Sequence, residues 1–148
     1  MNILTNWQQL PLRVLFFMAL VMAVENIQAT PYLKTDSNSA VESLLLDAKT
    51  YYETQQYEQA AASLERALRI KPRNPIIWYN LAGVRLANDE WKRAANLAQK
   101  SNALAGKNKK YKNLRIRNWM VITLACEGMG NDRCAREARD RAQTLIQK

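Results

Sequence analysis

Two cysteines, Cys126 and Cys134, stand eight residues apart, and histidine is absent from the 148-residue chain. Without His neither a Ser-His-Asp triad nor a Cys-His nucleophile can be assembled, and every His-containing metal site goes with them. Two thiols are too few for a four-thiolate zinc site. The glycines, Gly83, Gly106, Gly128 and Gly130, are not spaced for G-x-G-x-x-G or G-x-x-x-x-G-K-[ST], which excludes the phosphate-cradling loops. The residue types therefore predict a binding protein and no enzyme, with no cofactor, no metal and no small-molecule substrate. Between the cysteines, Gly128, Gly130, Asn131 and Asp132 form a turn signal that could bring the two sulfurs together. An oxidising compartment would keep them bonded; the other reading is two separate buried thiols acting as small apolar groups. The pair is not C-x-x-C and so is no redox motif.

The compartment follows from the N-terminus. Arg13 precedes an uninterrupted apolar run, Val14–Val24, followed by the polar segment Glu25–Ala29 with Ile27 and Ala29 in the cleavage frame. A run of about a dozen apolar residues is the size of a signal-peptide h-region, whereas a spanning helix needs about 20. Residues 1–29 are expected to be a signal peptide cut after Ala29, leaving a periplasmic or secreted protein. The alternative is an inner-membrane anchor at residues 14–24. No cysteine lies near the end of the apolar run, so this is not a lipoprotein signal.

After a polar linker at 30–40, apolar residues recur with the helical period and never with the strand period of two. Ser39-Ala-Val-Glu42 is a capping box, and Asn74-Pro75 sets an N-cap before a proline at the first helical position. Pro72 and Gly106 follow helix ends; Asn88-Asp89-Glu90 and Gly130-Asn131-Asp132 mark turns. The fold class is all-α. The chain also repeats itself. Ala60, Ala94 and Ala135 are separated by 34 and then 41 residues, as are Ala67, Ser101 and Ala142, and Leu44, Trp78 and Trp119.

A period of 34 with a Trp, Leu, small, Tyr, Ala and Pro signature resembles the tetratricopeptide repeat (TPR) family. Three copies are expected: 41–74, with Leu44, Ala48, Tyr51, Ala60, Leu64, Ala67 and Pro72 in the signature places; 75–108, with Trp78, Leu81, Ala82, Ala94, Ala98, Ser101 and Leu104; and 116–148, with Trp119, Ile122, Thr123, Ala135, Ala142 and Leu145. Residues 109–115 are a seven-residue insert that lengthens the third pair's first helix or the loop before it. The resemblance implies an α-solenoid of three helix pairs. The third copy departs most, with Thr123, Cys126 and Arg139 where the pattern prefers Gly, Tyr and an aromatic. Asp47 stands in the leucine place of the first copy, an anomaly for a core position.

In this family the first helices line a concave groove that takes a segment of another protein. By that register the groove residues are Glu42, Leu45, Lys49 and Tyr52, then Tyr79, Asn80 and Leu86, then Arg117, Met120 and Leu124, with ordinary inter-repeat packing as the competing role, above all for Leu45, Leu86 and Leu124. Tyr52 and Tyr79 are the candidate anchors. Asn80 matches one position of a carboxylate clamp known in the family, but Leu45 and Lys49 replace its other members, so that clamp is incomplete.

Charge is distributed unevenly. Residues 41–74 carry five basic and five acidic groups, 75–108 five and two, and 109–148 ten and four. Lys107, Lys109, Lys110, Lys112, Arg115 and Arg117 form a run without an acid, which predicts attraction to an anionic partner, an envelope glycan or nucleic acid in the polymer case. Two stretches, Leu64–Leu86 and Lys100–Gly106 with Arg117-Asn-Trp119, resemble small TPR proteins of Gram-negative envelopes, including lipoproteins that activate a bifunctional penicillin-binding protein. That resemblance implies an adaptor whose partner is such a synthase; the missing lipobox cysteine is a departure from it.

Overall fold

The computed structural model describes residues 39–147. The expected signal peptide, most of the linker and Lys148 lie outside the described residues. Among the described residues six α-helices follow one another: α1 Ser39–Glu53, α2 Tyr57–Ile70, α3 Pro75–Ala87, α4 Trp91–Ala105, α5 Lys112–Gly128 and α6 Asp132–Gln147. A 3-10 turn, Lys109–Tyr111, leads into α5. The seven extra residues thus form both this turn and the opening of α5. Each odd-numbered helix packs against its successor, and α2 with α3 and α4 with α5 join the pairs.

The turns inside the pairs are built alike. Gln55, Asp89 and Gly130, related by the same steps of 34 and 41, have φ of 59°, 58° and 67°. In each turn the next residue's amide returns to a carbonyl five residues back: Gln56 to Tyr51 at 2.8 Å, Glu90 to Arg85 at 2.9 Å and Asn131 to Cys126 at 2.8 Å. This left-handed closure satisfies carbonyls left open at a helix end. Between pairs, Asn74 caps α3 through its side chain, which accepts from the Ile76 amide at 3.0 Å, with Pro75 at the first helical position.

Two apolar clusters hold the stack. One gathers Val41, Leu44, Leu45 and Ala48 of α1, Ala60, Ala61, Leu64, Ala67 and Leu68 of α2, and Ile77, Leu81 and Val84 of α3. The other gathers Tyr79 and Ala82 of α3, four alanines of α4, Leu114, Val121, Ile122, Ala125 and Cys126 of α5, and Ala135 and Ala138 of α6. Leu97 packs against both and links them. Helix α3 serves the two clusters with opposite faces, which is why its sequence is apolar nearly all round. Trp78 packs on the first cluster and Trp119 on the second, equivalent places in successive pairs.

Asp47 now has a physical explanation. Its counterparts, Leu81 and Ile122, are buried. In α3 and α5 that position faces the preceding pair; in α1 no described pair precedes, and Asp47 is exposed together with Ser43 and Thr50. The charge that contradicts the repeat pattern lies on the exposed face of the first described pair.

Candidate functional site

The three first helices carry the groove positions, and they bring some of them together. Tyr52 of α1 lies against Tyr57 at the start of α2, with ring centroids 5.7 Å apart, and near Tyr79 of α3. The guanidinium of Arg117 on α5 lies near the Tyr79 hydroxyl. A continuous line of side chains therefore crosses all three pairs. Burial raises the Tyr52 phenol above its ordinary value of 10.0, and the neighbouring Tyr57 and Tyr79 add to the shift. Burial also raises Tyr79, against the pull of the Arg117 charge. Both phenols are neutral at physiological pH, and Arg117 supplies the positive charge of the line.

The remaining groove candidates divide. Lys49 is exposed and reaches Glu53 at 3.6 Å along its own helix. Met120 and Leu124, one helical turn apart on α5, are both open to solvent. Glu42 is exposed as well. Leu86 is half-buried against the second cluster. Leu45 and Tyr79 are buried, and they form the floor beneath the surface. Asn80 is 1% exposed, at the place where Val121 is buried in the next pair, so like Leu45 and Tyr79 it lies beneath the surface.

The basic run also separates. Lys107, Lys109 and Lys110 are exposed on the turn before α5, with the Lys110 ammonium 5.7 Å from the Tyr111 ring centroid. Asn108 caps this turn by accepting from the Lys110 amide at 2.9 Å. Arg115 is committed to the backbone, its Nη1 donating to the Gly106 and Asn108 carbonyls at 2.9 and 2.8 Å. It braces the loop from which the lysines project. Lys112 is half-buried, and Arg117 belongs to the tyrosine line. The six cations thus divide between the exposed lysine turn, the bracing Arg115, the half-buried Lys112 and Arg117 near Tyr79.

Cys126 and Cys134 form a disulfide between α5 and α6, with their Cα atoms 5.7 Å apart. One pair earlier the equivalent residues are Arg85 and Arg93, and there an ionic cluster does the joining. The buried Arg85 guanidinium meets Glu58 of α2 at 2.9 Å, Glu90 at 2.6 Å and Glu65 of α2 at 3.2 Å. Arg93 reaches Glu65 and Glu90 as well, and the Asn88 amide donates to Glu58 and Glu90. Burial pushes the Glu90 carboxyl up, but the hydrogen bonds from Asn88, Arg85 and Arg93 outweigh it and hold the group below its ordinary value of 4.5.

Sequence reasoning missed this cluster, although a signal existed: Arg85 occupies the signature tyrosine place, and a charge at a core place demands carboxylate partners. It also missed a buried polar chain between α4 and α5. The Asn118 side-chain amide donates to Ser101 Oγ at 2.8 Å and to Asn102 Oδ1 at 3.0 Å, and the Ser101 hydroxyl donates to the Pro75 carbonyl at 2.7 Å. Three residues of the Lys100–Gly106 and Arg117–Trp119 stretches, Ser101, Asn102 and Asn118, thus form the seam between the second and third pairs.

The model of the TPR repeat matches residues 48–89. The solved structure of the globular C-terminal domain of P. aeruginosa LpoP resembles the chain with a TM-score of 0.67 at 33% identity, over 73% of this chain and 99% of that domain. The chain belongs to the tetratricopeptide repeat family. No curated protein matches it. Among the described residues, no helix of this TPR stack is long and apolar enough to cross a membrane.

Proposed function

We propose that this chain is an exported, non-enzymatic adaptor that binds a bifunctional penicillin-binding protein of the cell envelope through its groove side. The observation that carries the reading is the row Tyr52, Tyr79 and Arg117, in which the half-buried Tyr52 and the exposed Arg117 flank a buried Tyr79, beside the exposed Met120. A half-buried phenol, an exposed guanidinium and an exposed methionine suit recognition of another protein, because aromatic and Arg side chains are the usual anchors of such contacts. The likeness to the LpoP domain over nearly its whole length supports an envelope setting, and the synthase is the partner that the resemblance to the activating lipoproteins implies. The test is direct. Residues 30–148, added to a purified bifunctional penicillin-binding protein, should bind it and raise its rate of glycan polymerisation, and Tyr52→Ala should weaken both. A chain that neither binds nor stimulates would overturn the reading.

The braced lysine turn favours a second reading, attraction of an anionic polymer such as envelope glycan or nucleic acid. Arg115 holds Lys107, Lys109 and Lys110 on an ordered loop, and such a cluster binds polyanions with an affinity that falls as salt rises. Changing these three lysines to Gln should flatten the salt dependence of polyanion binding and leave the groove partner bound.

A further inference from the structure

Among the described residues no further helix pair packs on the third. Leu45 is 3% exposed, in the cluster it shares with Ile77, Leu81 and Val84 of α3; Tyr79 is 4% exposed, in the cluster it shares with Val121, Ile122 and Ala125 of α5. The equivalent residue of the third pair is Met120, which is 51% exposed, and Leu124 one turn further on is equally open. Isolated apolar residues on a surface are ordinary. This one differs because the fold buries its position wherever a further helix follows. The opposite end of the stack is closed by polar groups, Ser43, Asp47 and Thr50, with Leu46 the exposed large apolar side chain among them.

We infer that the α5 face formed by Arg117, Met120 and Leu124 receives an acidic amphipathic helix of the partner protein, seated where a fourth pair would place its first helix. The inference rests on the adaptor reading above and specifies what the partner must present. Shape argues for a helix, since a helix covers the same position in both earlier pairs. Charge argues for acidic flanks. Residues 109–148 hold ten basic against four acidic groups. The acid on this stripe, Glu127, is paired with Arg139, and the exposed Arg117 lies near a neutral phenol, so an approaching helix meets positive potential. An apolar stripe with spacing i, i+3 or i+4 would cover Met120 and Leu124.

The experiment uses a hydrocarbon-stapled helical peptide with leucines at i, i+3, i+4 and i+7 and glutamates elsewhere, beside an isomer in which lysines replace the glutamates. Methyl-labelled protein should show shifts at Met120 and Leu124 with the acidic peptide, and the lysine isomer should bind about tenfold or more weakly at low salt. Met120→Glu with Leu124→Glu should abolish binding, Met120→Gln should weaken it, and Leu46→Glu at the far end should leave it unchanged. Circular dichroism and retained shifts elsewhere verify that the variants fold. Absence of shifts at Met120, equal binding of the lysine isomer, or equal loss in Leu46→Glu would overturn the inference, as would a concentration-dependent dimer that Met120→Glu dissolves. The penicillin-binding protein separates the two readings. If it binds wild type and the double variant equally, the helix site falls and the adaptor reading stands; if it binds neither while the acidic peptide still docks at Met120, the named partner falls and the helix site stands.

Discussion

At Gln55, Asp89 and Gly130 the backbone takes the left-handed conformation, and a single glycine is enough for three such turns only because the closure bonds compel the other two. A non-glycine residue there is strained by about 1–2 kcal/mol, whereas the extra flexibility of glycine in the unfolded chain costs about 0.5–1 kcal/mol. Gln55→Gly should therefore stabilise the protein by about 0.5–1 kcal/mol in urea unfolding. Gly130→Ala should destabilise it by a similar amount, through φ alone, since open space surrounds the site of the new methyl. Gly128 behaves differently. A Cβ there would meet the Trp91 ring at 2.5 to 2.9 Å, so Gly128→Ala should lower stability by about 1–3 kcal/mol and change the Trp91 fluorescence, despite the better helix propensity of alanine.

The helix pairs carry different locks at one pair of positions. In the third, the disulfide closes a loop between residues eight apart, and by chain-entropy reasoning a loop this short contributes about 2.5 kcal/mol. Cys126→Ala with Cys134→Ala should lose about that much, and dithiothreitol should lower the wild-type melting temperature while leaving the double variant unchanged. In the second pair the lock is electrostatic and answers to pH. Glu90 has a lower pKa folded than unfolded, so its contribution is present above the ordinary carboxyl value and is lost as pH falls through the folded one. Stability measured in urea should accordingly fall as pH drops below the ordinary carboxyl value of 4.5, and Glu90→Gln should reduce that dependence.

A stack in which each pair touches only its neighbours unfolds in steps when one interface is weakened. Leu64 is fully buried between the first pair and α3, and Leu64→Ala should cost about 2–5 kcal/mol. Hydrogen exchange should then show α1 and α2 losing protection while α5 and α6, tied by the disulfide, keep theirs. Uniform loss across all six helices would mean that the two clusters joined at Leu97 behave as one cooperative unit. The asymmetry of the ends belongs to this scale too: polar Ser43, Asp47 and Thr50 terminate one side, and Met120 and Leu124 leave the other side open.

The helical pattern and the steps of 34 and 41 residues were legible without coordinates, because side-chain periodicity is local and each pair reuses the same contacts. Helix caps at Asn74 and the turns at Asp89 and Gly130 could be read for the same reason, since a cap or a left-handed turn depends on a few adjacent residues. The candidate site was legible only by register. Which of its residues face a partner depends on what the next pair covers, and that is a long-range fact: it buries Leu45, Tyr79 and Asn80, leaves Met120 exposed, and draws Arg117 away from the lysine turn to the Tyr79 hydroxyl. Sequence alone determined three helix pairs in a row. Tertiary structure decided which surfaces remain for binding, because burial in a solenoid is set by the neighbour in space.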